Sequence, residues 1–335
     1  MTVSHFDNIR VVLAEPNSQL RTELKDNLED LGFRNVVATG NMSRIVSEVK
    51  AGSVDLIIAD TSLPEGDFNQ YVRELRHGRH GDNPFLVVIT MVNEAKKAAV
   101  HAAINSGTDH VVAKPFSVAS LIDKVNELTH TRKRFVVTSD YIGPDRRKAH
   151  RPGTMEVPLI VVPNPLQHRK LGGASETQMK RRVESAKQKI NEQKVLRNAY
   201  QIGWLLDFVM PEIAALNADM SANEPENLLR LRDTANDMCA RIRGTQFAHM
   251  AEMCLTLGRM AEEALKSGLC DADMRLMGRM AGIIENIFDP ERDARATDYQ
   301  RQRRNAGYSS DMDKSEPTMF KGTPGPKIQP DATVA

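Results

Sequence analysis

Cysteine is scarce in this chain. Cys239, Cys254 and Cys270 are odd in number and carry no metal-like spacing. That argues against a disulfide framework or a zinc site and predicts reduced core thiols in a cytoplasm. No apolar run approaches the roughly 18 residues of a membrane span, so no membrane association is expected. The first residues, Met1 to Asp7, lack the basic-then-apolar layout of a signal peptide. Excess charge is missing too: a formal net charge of +1 gives no global attraction to nucleic acid. Residues 176–335 contain no Gly-rich nucleotide cradle, no metal-spaced His-Asp pair and no Gly-Gly-rich cyclase loop, so the chain is not expected to be an enzyme. The 335 residues suffice for two domains, and 41% hydrophobic content fits a globular protein.

Short apolar runs and amphipathic stretches alternate over residues 7–130. Ile9 to Leu13, Val36-Val37-Ala38, Val54 to Asp60, Phe85 to Ile89 and Val111-Val112-Ala113 read as strands. Between them Leu20, Leu24, Leu28 and Leu31, then Ile45, Val46 and Val49, then Phe68 to Leu75, Ala95 to Ile104 and Val118 to Leu128 read as helices. Phe85 to Ile89 is almost continuously apolar, as a strand buried on both faces must be. Five such units predict an α/β fold with a doubly wound, five-stranded parallel sheet and right-handed crossovers.

The strand ends carry chemistry. Glu15 closes the first strand, Asp60 the third, Thr90 the fourth, and Lys114-Pro115-Phe116 follows the fifth. A parallel sheet brings such ends to one edge, where open α/β folds place their ligands. Two carboxylates, a hydroxyl and an ammonium there suit an aspartate that accepts a phosphoryl group. In order and spacing these residues, with Leu31-Gly32-Phe33 and Gly107-Thr108-Asp109, resemble a response-regulator receiver domain of bacterial two-component signalling, with its flavodoxin-like fold. The resemblance implies Asp60 as phosphoacceptor, with Thr90 and Lys114 binding phosphoryl oxygens. It implies Mg²⁺ held by Glu15, Asp60 and the backbone carbonyl of Ser62, and a cis peptide before Pro115. It implies a histidine kinase or phosphotransfer protein as donor.

Three positions depart from that pattern. Pro16 stands where the family has a second acidic residue and offers no side-chain oxygen, so weak Mg²⁺ affinity is expected. Met91 follows the threonine where a small residue leaves room for the donor, and Val111 replaces the aromatic residue that rotates on activation. An alternative reading is therefore a phosphorylation-independent pseudo-receiver scaffold or adaptor.

Residues 131–175 read as a Pro/Gly-rich basic linker, although Asp140 to Lys148 is too structured in composition for a plain spacer and Val157 to Val162 could lie against a domain. Residues 131–200 carry 16 Lys/Arg against 6 Asp/Glu, a solvated face or a dock for an acidic partner. Residues 176–289 read as an all-α bundle of four helices whose methionines are adaptable core. Ile242-Arg243-Gly244 and Lys266-Ser267-Gly268 resemble a histidine-phosphotransfer bundle, but Ala240 occupies the acceptor position. His249 would fall on roughly the opposite face of a continuous helix. The bundle is thus expected to dock an unknown protein partner without phosphotransfer. DNA binding is disfavoured, because the only helix-turn-helix candidate puts Glu262 and Glu263 on its reading helix. Residues 290–335 are polar and Pro/Gly-punctuated, as in a disordered tail.

Overall fold

A computed structural model describes residues 6–52, 54–93, 96–147, 157–171, 175–218 and 225–288. The expected tail, 290–335, lies outside the described residues. The described residues divide into two units, one of 6–147 and 157–190 and one of 191–288.

The first unit is built on β1 (Arg10–Ala14), α1 (Ser18–Asp30), β2 (Asn35–Thr39), α2 (Met42–Lys50), β3 (Leu56–Asp60), α3 (Phe68–Arg76), β4 (Val87–Val92), α4 (Lys97–Asn105), β5 (His110–Ala113) and α5 (Val118–His130). All five strands are parallel, in the order β2-β1-β3-β4-β5. Alternate side chains feed two apolar layers. Val11, Leu13, Ile58, Ile89 and Met91 pack with α1 and α5, while Val12, Ala14, Ile57, Ala59 and Val88 pack with α2 and α3. Asn17, Asp67 and Ser117 cap α1, α3 and α5 through side-chain oxygens that accept N–H groups of the first turn.

The segment read as a linker is instead largely part of this unit. β6 (Phe135–Val137) and β7 (Ile142–Pro144) form an antiparallel hairpin, and Ile160 bridges to Phe135 on its other side. Phe135, Val137, Ile142, Ile160 and Val162 form a core with Phe85 and with Val183, Ala186 and Ile190 of the next long helix. The helix α6 (Pro165–Leu171) buries Leu166 beside Leu121 and Val125. Strands of three residues between prolines leave no readable period, which is why composition pointed to a connector. Residues 148–156 and 172–174 lie outside the described residues.

Helix α7 (Glu176–Ala218) belongs to the first unit up to Ile190 and to the second from Asn191. The bundle therefore begins some fifteen residues later than the start of the helical pattern at residue 176 suggested. From Asn191, α7 packs with α8 (Glu226–Ile242), α9 (Ala251–Ser267) and α10 (Asp271–Phe288). Met238, Met250, Met277 and Met280 are buried in this core. Cys239 and Cys254 are buried free thiols, but Cys270 is exposed and not the core residue expected. Ala240 lies exposed near the end of α8, which stops at Ile242, and His249 lies in a separate short turn, Ala248–Met250. The continuous helix on which His249 was placed does not exist. No described helix is long and apolar enough to cross a membrane.

Candidate functional site

The parallel register sets the site. Ala14 is level with Ala59, Ala59 with Thr90, Met91 with Val112 and Val92 with Ala113, so Glu15, Asp60, Asn93 and Lys114 all emerge at one edge. Glu15 and Asp60 are buried there. Lys114 Nζ bridges them, 2.6 Å from Glu15 Oε2 and 2.5 Å from Asp60 Oδ2. The Lys114–Pro115 peptide is cis, as expected.

Burial disfavours the charge on Lys114, but its bonds to Asp60 and Glu15 outweigh that and hold the ammonium pKa above its ordinary value. The remaining carboxylate oxygens are also engaged. Asn17 N donates to Glu15 Oε1 at 3.0 Å, and Ser62 N donates to Asp60 Oδ1 at 2.7 Å. Ser62 Oγ makes a further close bond to Asp60 Oδ1, and Asn93 Nδ2 donates to Ser62 Oγ at 2.6 Å. Ser62 thus meets Asp60 through two donors, its N–H and its hydroxyl, whereas the sequence singled out its carbonyl, an acceptor.

Asn93 was not anticipated. Its only signal was position, as the residue just past the end of β4 on the site edge. Thr90 is fully buried at the predicted strand position, yet its hydroxyl donates to Thr108 Oγ1 at 2.9 Å. The structure thus joins Glu15, Asp60, Ser62 and Lys114 in one bonded cluster and ties Thr90 to a different partner. Met91 is buried in the apolar layer that holds Leu13, Ile58 and Leu121. Val111 pairs with Thr90 in the register and is half-buried.

For a divalent cation the donor set is small. Among the described residues no group of three His, Cys, Asp or Glu side chains could hold a metal. Two carboxylates do meet what Mg²⁺ commonly takes from a protein, the remaining positions being filled by waters and phosphate oxygens. Chemically, the cluster offers a buried carboxylate with a fixed cation beside it.

A family model for the response regulator receiver domain matches residues 11–126. The chemotaxis protein CheY-3 of Vibrio cholerae is 27% identical over 127 residues, covering 36% of this chain and 92% of that protein. The KDP operon transcriptional regulatory protein KdpE of Escherichia coli is 32% identical over 111 residues, covering 33% of this chain and 47% of that protein. Among solved structures, the Francisella response regulator 1452 receiver domain matches with 22% identity and a TM-score of 0.33, over 36% of this chain and 94% of that one. The family match falls on the segment whose strand ends carry Glu15, Asp60, Thr90 and Lys114. Residues 11–126 are a response regulator receiver domain.

Proposed function

We propose that this chain is a response regulator in a two-component phosphorelay, that Asp60 accepts a phosphoryl group from a histidine kinase or phosphotransfer protein, and that the chain signals by protein contact. The observation that carries this reading is the cluster of Asp60, Glu15 and Lys114 at the carboxyl edge of the sheet, with Lys114 Nζ within 2.6 Å of both carboxylates. A buried carboxylate bridged by an ammonium is held in place for attack and has a cation ready for the phosphoryl oxygens. In the transfer, an Asp60 oxygen forms the new O–P bond. The N–P bond of the phosphohistidine breaks, and its electron pair returns to the donor imidazole, which takes up a proton.

Lys114 would exchange its hold on Asp60 Oδ2 for a phosphoryl oxygen, so that developing charge meets a preformed partner. Ser62 and Asn93 keep the other Asp60 oxygen oriented. Mg²⁺, bound weakly by Glu15 and Asp60, would supply further positive charge when present. With the acceptor position held by Ala240, the bundle's role in this reading is to dock a protein partner rather than to relay phosphate, and the chain acts as a signalling protein without an enzymatic output.

The test is intact-protein mass after incubation with Mg²⁺ and a small-molecule phosphodonor. We expect the parent to gain one phosphoryl group and Asp60→Asn to gain none. No gain in the parent, with either a small donor or a phosphorylated histidine protein, would leave the scaffold reading as the better one.

A further inference from the structure

The hydroxyl of Thr90 points back along its own strand. It donates to Thr108 Oγ1 at 2.9 Å, and Thr108 Oγ1 donates in turn to the Val88 carbonyl at 2.9 Å, with the His110 carbonyl at 3.1 Å. Val88 lies one pleat repeat before Thr90 in β4, so this bond turns Thr90 away from the edge where Asp60, Ser62 and Lys114 meet. Both threonines are fully buried. Neither hydroxyl can replace the other's bond with one to bulk water.

The peptide that carries Thr108 is gripped by the hairpin. Arg146, just after β7, donates through Nη2 to the Thr108 carbonyl at 2.6 Å and to the Asp109 carbonyl at 2.8 Å. Gly107 has φ 94°, and a Cβ there would lie 2.5 Å from the Ile142 carbonyl oxygen of β7. Its own carbonyl accepts from Arg76 Nε at 2.9 Å. Gly107 to Asp109 is therefore one short peptide with Thr90 on one side and β7 on the other. It has no slack, because a glycine at positive φ opens it, a fully buried threonine follows, and Arg76 and Arg132 hold Asp109 at its other end.

We infer that Thr108 is a positioning residue that parks the Thr90 hydroxyl away from Asp60, and that the hairpin Phe135–Pro144 with Arg146 reads the state of Thr90 through it. The coupling stands on the unmodified protein; only its trigger rests on the phosphoryl acceptance proposed above. When Thr90 turns to a phosphoryl oxygen on Asp60, the Thr90–Thr108 bond breaks. Thr108 loses a fixed partner, and the carbonyls held by Arg146 gain freedom to move. The route runs through a hydroxyl pair, so it does not need an aromatic side chain at Val111. It also gives a task to Asp145-Arg146-Arg147, in which Asp145 pairs with Arg147 at 2.8 Å and leaves Arg146 to the receiver peptide.

The test is hydrogen–deuterium exchange of the full chain by mass spectrometry, on the parent, Thr90→Val, Thr108→Val and Thr108→Ser. Removing the hydroxyl pair should speed exchange across Phe135–Pro144 by about five-fold, the size expected for one buried hydrogen bond. Protection of β1 should stay at the parent's level, which controls for folding, and Thr108→Ser should restore the hairpin. Parental exchange in Thr90→Val would overturn the coupling, as would a Thr108→Ser variant that behaves like valine, since packing of the methyl group would then be responsible. A phosphodonor should produce the same loosening in the parent but not in Asp60→Asn. A phosphoryl group found on Asp60 with an unmoved hairpin would sink the relay and spare the receiver reading. Loosening in Thr90→Val with no phosphoryl ever found on Asp60 would do the reverse.

Discussion

The two ends of the receiver sheet both gather acids and bases, and they do it differently. At the carboxyl edge, two carboxylates share one ammonium, so Glu15, Asp60 and Lys114 sum to one negative charge, and Lys114 keeps 16% of its side chain exposed. At the opposite end, one carboxylate serves two guanidiniums. Asp109 binds Arg76 Nη2 at 2.9 Å and Arg132 Nε at 2.9 Å and accepts the Val88 N–H at 2.9 Å. Arg76 spends its other donors on the carbonyls of Gly107, Pro84 and Leu86, and Arg132 on those of Phe85, Leu86 and Pro163. Both guanidiniums also stack against the Phe135 ring, at 5.3 and 5.1 Å. The lower cluster is richly bonded and almost wholly buried. The upper one is short of positive charge, and only its Lys114 keeps partial exposure. Burial alone does not distinguish the two clusters; the balance of donors and carboxylates does.

Breaking the lower cluster should have the largest effect. Asp109→Ala leaves two buried guanidiniums without a counter-charge and should cost about 3–5 kcal/mol, read as a fall in the urea midpoint of the first unit. A loss below a third of that would mean the carbonyls alone satisfy Arg76 and Arg132. The pH dependence has a definite sign. Burial works to raise the Asp109 pKa, but Arg132 and Arg76 outweigh it and hold the carboxyl below its ordinary range. Its contribution is therefore present above about pH 3.9 and is lost as pH falls through the lower folded value.

The upper cluster should respond in chemistry. Lys114→Met removes the cation beside Asp60 and, on the proposed function, should slow phosphoryl labelling of Asp60 by about 10²-fold, measured as the initial rate of mass gain. Labelling at the parental rate would reduce the bridge to a structural contact. Because the folded Lys114 pKa is raised, the stability it contributes is complete below about pH 10.4 and is lost as pH rises through the folded value.

The smallest effect should come from a cap between the two regimes. The Asn17 side chain accepts from Gln19 N and Leu20 N, while its backbone N–H holds Glu15. Asn17→Ala should thus cost about 1 kcal/mol in denaturant and leave labelling unchanged. A change in labelling would show that the cap, and not only the backbone, orients Glu15.

What could be read from sequence follows this contrast. Glu15, Asp60 and Lys114 were legible because each ends or follows an apolar strand, and parallel topology converts strand ends into a shared edge. The five strands were legible because both faces of the central ones are buried and their composition says so. Arg76, Asp109 and Arg132 were not legible, because their bonds span 23 to 33 residues and nothing local marks a charged side chain as interior. The hairpin escaped for another reason: two three-residue strands, the second ending in Pro144, carry no alternation to detect. Thr108 was visible as part of Gly107-Thr108-Asp109, but its hydroxyl meets Thr90 only in the folded chain, across 18 residues.

The core formed by Phe85, Phe135, Ile142, Ile160 and Val183 has a practical consequence for anyone dissecting the chain. A fragment cut where the family pattern ends would strip the cover from Phe85 and leave Arg76 without the ring it stacks on. That exposes an apolar patch of the kind that drives self-association rather than solubility. The smallest piece that keeps its own surface runs through Ile190, so the boundary of the physical unit lies more than sixty residues beyond the boundary of the recognisable one.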